Sequence, residues 1–583
     1  MNTNTPRCEH PRPDRKREEW LSLNGEWDFE IDNDLIGKDR EFYKRASLDG
    51  KIIVPFCPES SLSGVKNTDF MNSVWYRRDI EIPTQWSDKR IILHIDACDY
   101  ETTVYVNGRE VGVHVGGYTS FSFDITEYLN DEGNYLTVCA VDDTRSPWQQ
   151  TGKQSTKPES YGCFYTRTTG IWQSVWLEAV SSAHVVSYRA YPSVDDCSLS
   201  LNVELSEKSI GKSLKVSVFY NNNPMGESVI KITSLSINVY IKLLEEHLWE
   251  LGNGRLYDRV FELKDAGACD VLRGYFGLRE VCLTLDGGLM LNGKTVFGRF
   301  VLDQGFYPDG IYTAPSDNAL VYDITASMRC GFNGARLHQK VFEPRFLYHA
   351  DRLGYMLFGE TPCWGLDYTS PDAIYHFLPE WLEEIERDFS HPSIIGWCPF
   401  NETWDIDGRP QCNEFIDKIY DITRAIDTTR PVVTNSGSLQ TRKTDSNDYH
   451  DYEQDPEKFA LIFDETEKGI VKDQYYRTNG IQTYFVELPI FVSEYGGIAW
   501  VVENDESGWG YGASVKSEQE YFARLEGLTD ILLSHPRIWG FCYTQLTDVE
   551  QEQNGVLNYD RKFKFDPLKY HRIFTKPAVI EKK

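Results

Sequence analysis

The spacing of apolar residues changes after Asp286-Gly287-Gly288, and this change constrains the fold more than any other sequence feature. Beyond it, short apolar runs alternate with stretches that repeat every three to four residues. That alternation is typical of strands joined by helices, and so of a parallel sheet. Eight runs qualify as strands, the number in a (β/α)8 barrel. The predicted strands are 296–302, 334–337, 355–358, 394–400, 431–435, 448–452, 490–494 and 538–543.

The stretches between these runs have helical spacing. Phe377, Trp381, Ile385 and Phe389 recur every four residues, which predicts one apolar face packed against the strands. Serines just before two such stretches, at Ser316 and around 514–517, predict helix starts.

The residues before the change show short alternating runs that are typical of antiparallel strands. The run that ends at Val106 is followed by Asn107-Gly108, a strong hairpin signal because both turn positions require positive φ. We therefore predict a multidomain chain with an all-β jelly-roll sandwich over 1–182 and an immunoglobulin-like sandwich over 183–284. An α/β TIM barrel is predicted over 285–583.

Composition excludes some classes of partner. The formal net charge of −29 opposes binding to nucleic acid or to an anionic membrane. No apolar run is long enough to span a membrane, and the first residues lack the apolar core of a secretory signal, so we expect a cytoplasmic protein. The cysteines are single and lie mostly in apolar runs, which favours buried thiols over disulfides or a metal knuckle.

Two glutamates follow predicted barrel strands directly. Glu402 comes after strand four and Glu494 ends strand seven, 92 residues apart. Three βα units of ~31 residues predict about the same separation, so both belong on the rim where barrel enzymes place their catalytic groups. Either motif alone is weak, but their joint placement predicts the pair of carboxylates that glycoside hydrolysis requires. Asn401, just before Glu402, is a candidate to bind the sugar 2-hydroxyl.

Several ordered motifs add a resemblance that runs over almost the whole chain. They are Leu23 to Trp27, Trp75 to Arg78, Tyr105 to Gly108, Gly170 to Glu178, Leu291 to Lys294, Gly331 to His338, Ala350 to Gly354, His391 to Ser393 and Phe400 to Glu402. In this order they resemble glycoside hydrolase family 2, which includes β-galactosidases, β-glucuronidases and β-mannosidases.

The resemblance implies that Glu402 is the general acid/base and Glu494 the nucleophile, in agreement with the spacing. It also implies that Arg336 keeps the nucleophile ionised. Further candidates for substrate contacts, each of which can instead be a core or rim residue, are His338, Asp303, His450, Tyr452, Trp539 and Trp364.

One departure from the family bears on the sugar. β-Glucuronidases of the family carry an Asn-x-Lys clamp for the substrate carboxylate, whereas the corresponding stretch here is Glu552-Gln553-Asn554, without lysine. Asp548, Glu550 and Glu552 add negative charge, which disfavours an anionic sugar unless a base from another loop compensates.

We therefore expect a retaining exo-β-glycosidase that acts on neutral hexosides such as β-galactosides. The alternatives are a β-glucuronidase or β-galacturonidase and a carbohydrate-binding protein without turnover. No cofactor and no metal are expected, because hydrolysis by two carboxylates needs neither. The resemblance allows a homo-oligomer.

Overall fold

The computed structural model describes residues 5–264, 269–464, 485–500 and 508–582. The first part of the chain forms two antiparallel sheets around an apolar core that includes Trp27, Tyr76 and Leu93. In spatial order, the six-stranded sheet contains Gly50–Val54, Gly25–Ile31, Ser73–Ile80, Asn134–Val141, Glu101–Val106 and Arg109–Val115. The four-stranded sheet contains Trp20–Ser22, Val175–Val180, Arg90–Ile95 and Phe121–Asp124. Cys98–Asp99 and Gly170–Ile171 pair separately.

The predicted hairpin is present. Asn107 and Gly108 join two paired strands with φ values of 53° and 71°, so both turn residues lie in the left-handed region. Asn107 tolerates that region better than most residues with a Cβ, and glycine adopts it without steric cost.

The next segment forms a second sandwich around its own core of residues such as Val203, Val216 and Phe261. Its three-stranded sheet contains Val185–Ser193, Ser198–Leu205 and Ser236–Lys242. Its four-stranded sheet contains Asn223–Lys231, Ser213–Tyr220, Tyr257–Lys264 and Cys269–Phe276. Buried and exposed residues alternate along these strands, as in Ser236–Lys242.

A small antiparallel sheet of Val281–Thr284, Gly288–Leu291 and Lys294–Thr295 lies across the predicted boundary at 284 and 285. The boundaries at 182 and 284 stay predictions. The fold class, two β-sandwiches followed by a TIM barrel, is confirmed.

Within the described residues, seven parallel strands of the barrel form one sheet. In chain order they are strand one, Gly298–Asp303, strand two, Gly334–Leu337, strand three, Met356–Glu360, strand four, Ile394–Cys398, strand six, Asn447–Asp451, strand seven, Ile490–Gly496, and strand eight, Ile538–Thr544. Strand one pairs with both strand two and strand eight, so the sheet curls round to bring the first and last strands together.

Strand five is much shorter than predicted. Only Asn435–Ser436 is regular, paired with Phe400–Asn401, and Val432 forms an isolated bridge to Trp397. Pro399 interrupts the fourth strand because proline has no N–H for the ladder. On the other side, the Val432 N–H donates to the Asp445 carboxylate at 2.8 Å instead of to strand six.

Helices surround the sheet. They are Asp317–Arg329, Pro344–Leu353, Ile374–Asp388, Asn413–Ile426, Pro456–Asp464, Glu518–Ser534 and Pro567–Phe574. Ser316 and Ser517 cap two of them, each accepting a hydrogen bond from a backbone N–H three residues on, as predicted. The predicted stripe of Phe377, Trp381 and Ile385 is buried against the strands. None of the described helices has the length and apolar composition needed to cross a bilayer.

Candidate active site

Glu402 and Glu494 meet at the carboxyl end of the barrel. Glu494 lies near the carboxyl end of strand seven, and Glu402 directly follows Phe400–Asn401. The two side chains are largely buried, with 8% and 4% of their surface exposed. One oxygen of each carboxylate and a ring nitrogen of His450 all lie within 4.8 Å of one another. Two residues far apart in sequence therefore face the same small volume.

The backbone at Glu402 has an uncommon conformation. Its φ is 46°, in the left-handed region that residues with a Cβ rarely adopt. The Glu402 N–H donates to Ser436 O at 2.8 Å, and the Nδ1 atom of His450 lies 2.6 Å from Glu402 Oε1. Strand five and strand six thus fix the position of this carboxylate. Strain of this kind concentrates at functional sites.

Arg336 links Glu494 to a further glutamate, Glu360. Its guanidinium donates to both carboxylate oxygens of Glu360, at 3.1 and 2.9 Å. It also donates to Glu494 Oε1 at 3.2 Å and to Asn401 Oδ1 at 2.8 Å. The buried guanidinium therefore compensates the charge of Glu494 and orients Asn401. Glu360 was missed by the sequence reasoning, although it ends an apolar strand as Glu494 does.

A pair of tyrosines lies on the other side of Glu494. The hydroxyl of Tyr452 donates to Glu494 Oε2 and lies 3.0 Å from Thr544 Oγ1. Its ring stacks on Tyr511, with 3.5 Å between ring centroids. Arg336 and Tyr452 thus bind opposite oxygens of Glu494 and hold its carboxylate in one orientation. No sequence signal pointed to Tyr511.

The two histidines of the site are neutral at neutral pH. Burial is the main cause that lowers the pKa of His450 to about 3, and Arg336 and Lys153 lower it further. Burial also lowers the pKa of His338 well below its usual value. His338 Nε2 lies 3.3 Å from Glu494 Oε1, and its Nδ1 lies 2.9 Å from Gln304 Oε1. Neutral imidazoles can donate to a carboxylate or a sugar without adding charge.

Asn401 keeps a free donor. Its Nδ2 is fully buried and has no hydrogen-bond partner among the residues that the structure describes. A buried amide donor without a partner is costly, which favours a ligand oxygen at this position. The geometry is compatible with the predicted contact to a sugar hydroxyl.

Two of the candidates lie elsewhere, and a third borders the site. The Asp303 carboxylate accepts a hydrogen bond from Gly305 N at 2.9 Å, and we find no contact of it with either glutamate in the described parts of the chain. Trp539 lies at the amino end of strand eight, packed on Phe491 in the barrel core, so the structure does not place it beneath a sugar at the opposite end. Trp364 borders the site, where its Nε1 donates to Asn401 O at 2.9 Å.

The acidic residues after strand eight have local hydrogen-bond partners. Asp548 accepts a hydrogen bond from Lys564 Nζ at 2.6 Å. Glu552 accepts hydrogen bonds from Tyr165 OH at 2.6 Å and from Asn554 Nδ2 at 3.1 Å. Tyr165 belongs to the first sandwich, so this side of the rim is built by two parts of the chain.

Glu402, His450 and Glu494 are also arranged so that they can hold a metal ion. A cation there would lie next to Arg336, whose positive charge already compensates Glu494. The expectation that no metal takes part stays a prediction.

Together, the fold and the site define a protein with two β-sandwiches and a TIM barrel that holds paired carboxylates at its carboxyl rim. Three family models match it in sequence: "Glycosyl hydrolases family 2, sugar binding domain" over residues 61–180, "Glycosyl hydrolases family 2" over 183–279, and "Glycosyl hydrolases family 2, TIM barrel domain" over 314–499. The chain belongs to glycoside hydrolase family 2.

Its relatives differ in their sugars. A β-galactosidase of Thermoanaerobacter pseudethanolicus is 28% identical over 387 residues, which cover 63% of this chain and 49% of that protein. A β-glucuronidase of Streptococcus agalactiae is 24% identical over 418 residues, which cover 65% and 66%. The matched region thus spans about half the length of the first relative.

Solved structures share the fold. The β-glucuronidase of Bifidobacterium dentium, complexed with coumarin-3-O-glucuronide, superimposes with a TM-score of 0.80 at 19% identity, covering 97% of this chain and 99% of that chain. The β-glucuronidase of Bacteroides uniformis gives 0.78 at 22% identity, covering 97% and 70%. At these identities the likeness concerns the fold alone.

Proposed function

We propose that the protein is a retaining exo-β-glycosidase that hydrolyses terminal β-linked sugars by double displacement. The observation that carries this proposal is the distance of at most 4.8 Å between carboxylate oxygens of Glu402 and Glu494. Retaining glycosidases hold their carboxyl groups about 5–5.5 Å apart, whereas inverting ones need about 6.5–9.5 Å to admit a water. Oxygens this close support direct attack of Glu494 on the sugar, as in the retaining arrangement.

In the first step, an oxygen of Glu494 attacks the anomeric carbon, and the bond from that carbon to the departing oxygen breaks. Glu402 transfers its proton to the departing oxygen, so the aglycone leaves as a neutral alcohol. Arg336 and Tyr452 hold the attacking carboxylate in place.

In the second step, water attacks the anomeric carbon of the glycosyl ester and gives a proton to Glu402. Glu494 leaves as a carboxylate, which Arg336 and Tyr452 again compensate. His450, 2.6 Å from Glu402, stays neutral and orients this carboxyl group in both steps.

A neutral hexoside such as a β-galactoside is the substrate that we propose. The rim contributes the carboxylate of Glu552. Because this residue is only 2% exposed, water screens its negative charge weakly, and the charge repels a nearby substrate carboxylate. Arg336 is engaged with Glu360, Glu494 and Asn401 and has little capacity left for a substrate carboxylate. The negative charge of Glu552 offsets that of Lys153, which weakens the attraction for an acidic sugar.

Hydrolysis of uronides is the second candidate function. The observation that favours it is Lys153, a base from another loop of the kind that the missing clamp would require. Nitrophenyl β-galactoside, β-glucoside, β-mannoside, β-glucuronide and β-galacturonide, compared by kcat/KM, separate the two candidates. A preference for either uronide would contradict the neutral assignment.

The Glu494→Ala variant tests the mechanism. We expect loss of hydrolysis, and in the presence of azide a glycosyl azide of inverted configuration, because azide occupies the space of the carboxylate on that face. Glu414→Ala, which changes an exposed glutamate on the helix Asn413–Ile426, serves as the control for preparation and fold. An unchanged rate in Glu494→Ala would contradict the proposed nucleophile. A carbohydrate-binding protein without turnover would show binding but no hydrolysis in the unsubstituted chain.

A further inference from the structure

A loop of the first sandwich, residues 143–169, lies against the mouth of the barrel. Thr151 N donates to Trp364 O at 2.7 Å, and Gly152 N donates to Pro362 O at 3.3 Å. At its far end, Tyr165 OH donates to Glu552 after strand eight. The loop is thus bound to the barrel on two sides of the site.

Lys153 of this loop lies over the ring of Trp364. Its side chain is buried, with 6% of the residue surface exposed, and its ammonium lies 4.5 Å from the centre of the Trp364 ring. We find no hydrogen bond or ion pair of this ammonium within the described ranges. Burying a charge without such partners is unfavourable. A cation over an aromatic ring recovers only part of that cost.

The charges of the reacting pair act on Lys153. Burial lowers the pKa of Lys153, but Cys163, Glu552, Glu402 and Glu494 together raise it above its usual value. In return, Lys153 lowers the pKa values of His338 and His450. The ammonium therefore stays charged and favours the neutral forms of both histidines.

Glu552 supplies the opposite charge on the same side. It is buried, and its carboxylate is fixed by Tyr165 OH and Asn554 Nδ2. A fixed donor and a fixed acceptor whose charges cancel match the hydroxyl groups of a neutral sugar better than they match a carboxylate.

We propose that Lys153 is a sugar-binding residue that donates hydrogen bonds to a ring hydroxyl of the neutral substrate, with Glu552 balancing its charge. The inference rests on the proposed function and names a specificity residue for it. The first sandwich therefore completes the sugar site through this loop.

The test compares Lys153→Met with Lys157→Met. Lys157 belongs to the same loop, is exposed, and also lies over an aromatic ring, that of Tyr161 at 3.9 Å, so it is a matched control. Both variants are assayed with the best neutral nitrophenyl glycoside and with its monodeoxy analogues, one for each ring hydroxyl. We expect Lys153→Met to lower kcat/KM by about 10- to 100-fold, the effect of one charged hydrogen bond. That loss should vanish for the analogue that lacks the bound hydroxyl, while Lys157→Met matches the unsubstituted chain on every substrate.

The outcomes separate this inference from the proposed function. If the unsubstituted chain hydrolyses no glycoside, the proposed function fails and the inference fails with it. If the unsubstituted chain is active and Lys153→Met is equally active, or loses the same factor on every deoxy analogue, only the inference is overturned. A loss confined to uronides would also overturn it. Lys153→Gln is a second variant. If neither Lys153→Met nor Lys153→Gln shows a thermal unfolding transition, Lys153 is required for the fold and the proposal is overturned.

Discussion

At the scale of single residues, the two reacting carboxylates have neighbours of different charge. Glu494 accepts hydrogen bonds from a cation, Arg336, and from Tyr452, whereas Glu402 lies 2.6 Å from the neutral His450. A nucleophile must be negatively charged when it attacks, and an acid must carry a proton. The two environments therefore match the two roles that we propose.

The acid role of Glu402 predicts a dependence on the leaving group. In Glu402→Ala, kcat/KM for an alkyl or phenyl glycoside should fall by about 10²- to 10⁴-fold, because these aglycones need protonation as they leave. The loss should be far smaller for a 2,4-dinitrophenyl glycoside, whose aglycone is stable as an anion. The measurement is steady-state kinetics on both substrates. An equal loss on the two would contradict the acid role.

At the scale of elements, the site depends on loops that different parts of the chain contribute. The segment 143–169 of the first sandwich carries Lys153, and its position rests on backbone hydrogen bonds of Thr151 and Gly152 to the loop after strand three. Gly152 has a φ of 55°, and a Cβ there would lie 2.3 Å from Gln339 O. Only glycine permits this close approach of two backbones.

We therefore predict that Gly152→Ala displaces the loop. Its kcat/KM should fall at least as much as that of Lys153→Met, because the ammonium moves with its backbone. Gly162→Ala is a matched control: Gly162 has a φ of 53° in the same loop, and a Cβ there meets nothing within 4 Å. The control carries the same cost of a left-handed alanine, on the order of 1 kcal/mol, but no collision. Similar kinetics in the two variants would refute the proposed role of the loop.

At the scale of the whole molecule, buried acids whose pKa values burial raises make stability depend on pH. Burial raises the pKa values of Glu59, Asp96 and Glu380 to about 7. The folded state thus keeps protons that the unfolded chain releases near pH 4. The contribution of these acids to stability is fully present below the unfolded pKa and is lost as the pH rises through 7.

The free energy of unfolding should therefore fall as the pH rises from 6 to 7, by up to about 1.4 kcal/mol per pH unit for each such group, and level off towards pH 8. Below pH 6.5 the buried His450 acts in the opposite direction, because its folded pKa is lowered to about 3. Urea titrations at pH 6, 7 and 8 measure the slope. Glu380→Gln, which resembles the protonated form, should reduce the slope. Stability that stays constant or rises over this range would contradict the prediction.

The sequence by itself determined the features that depend on local pattern. The hairpin at Asn107-Gly108 follows from backbone sterics, and the caps at Ser316 and Ser517 follow from the need of a helix start for acceptors. The barrel strands follow from the spacing of apolar residues. The same spacing predicts too long a strand five, because it does not show that the Val432 N–H bonds to the Asp445 side chain instead of to a neighbouring strand. The rim positions of Glu402 and Glu494 follow from strand order alone.

Only the tertiary structure decided which distant groups meet. Glu360 and Tyr511 touch the partners of Glu494, and Lys153 reaches the same site from a different sandwich; nothing in their local sequence indicates it. The same reason explains why Trp539 lies in the core, since the pattern gives a residue its strand but not its depth along the barrel. Short-range periodicity encodes elements, whereas contacts between residues hundreds of positions apart exist only once those elements have packed.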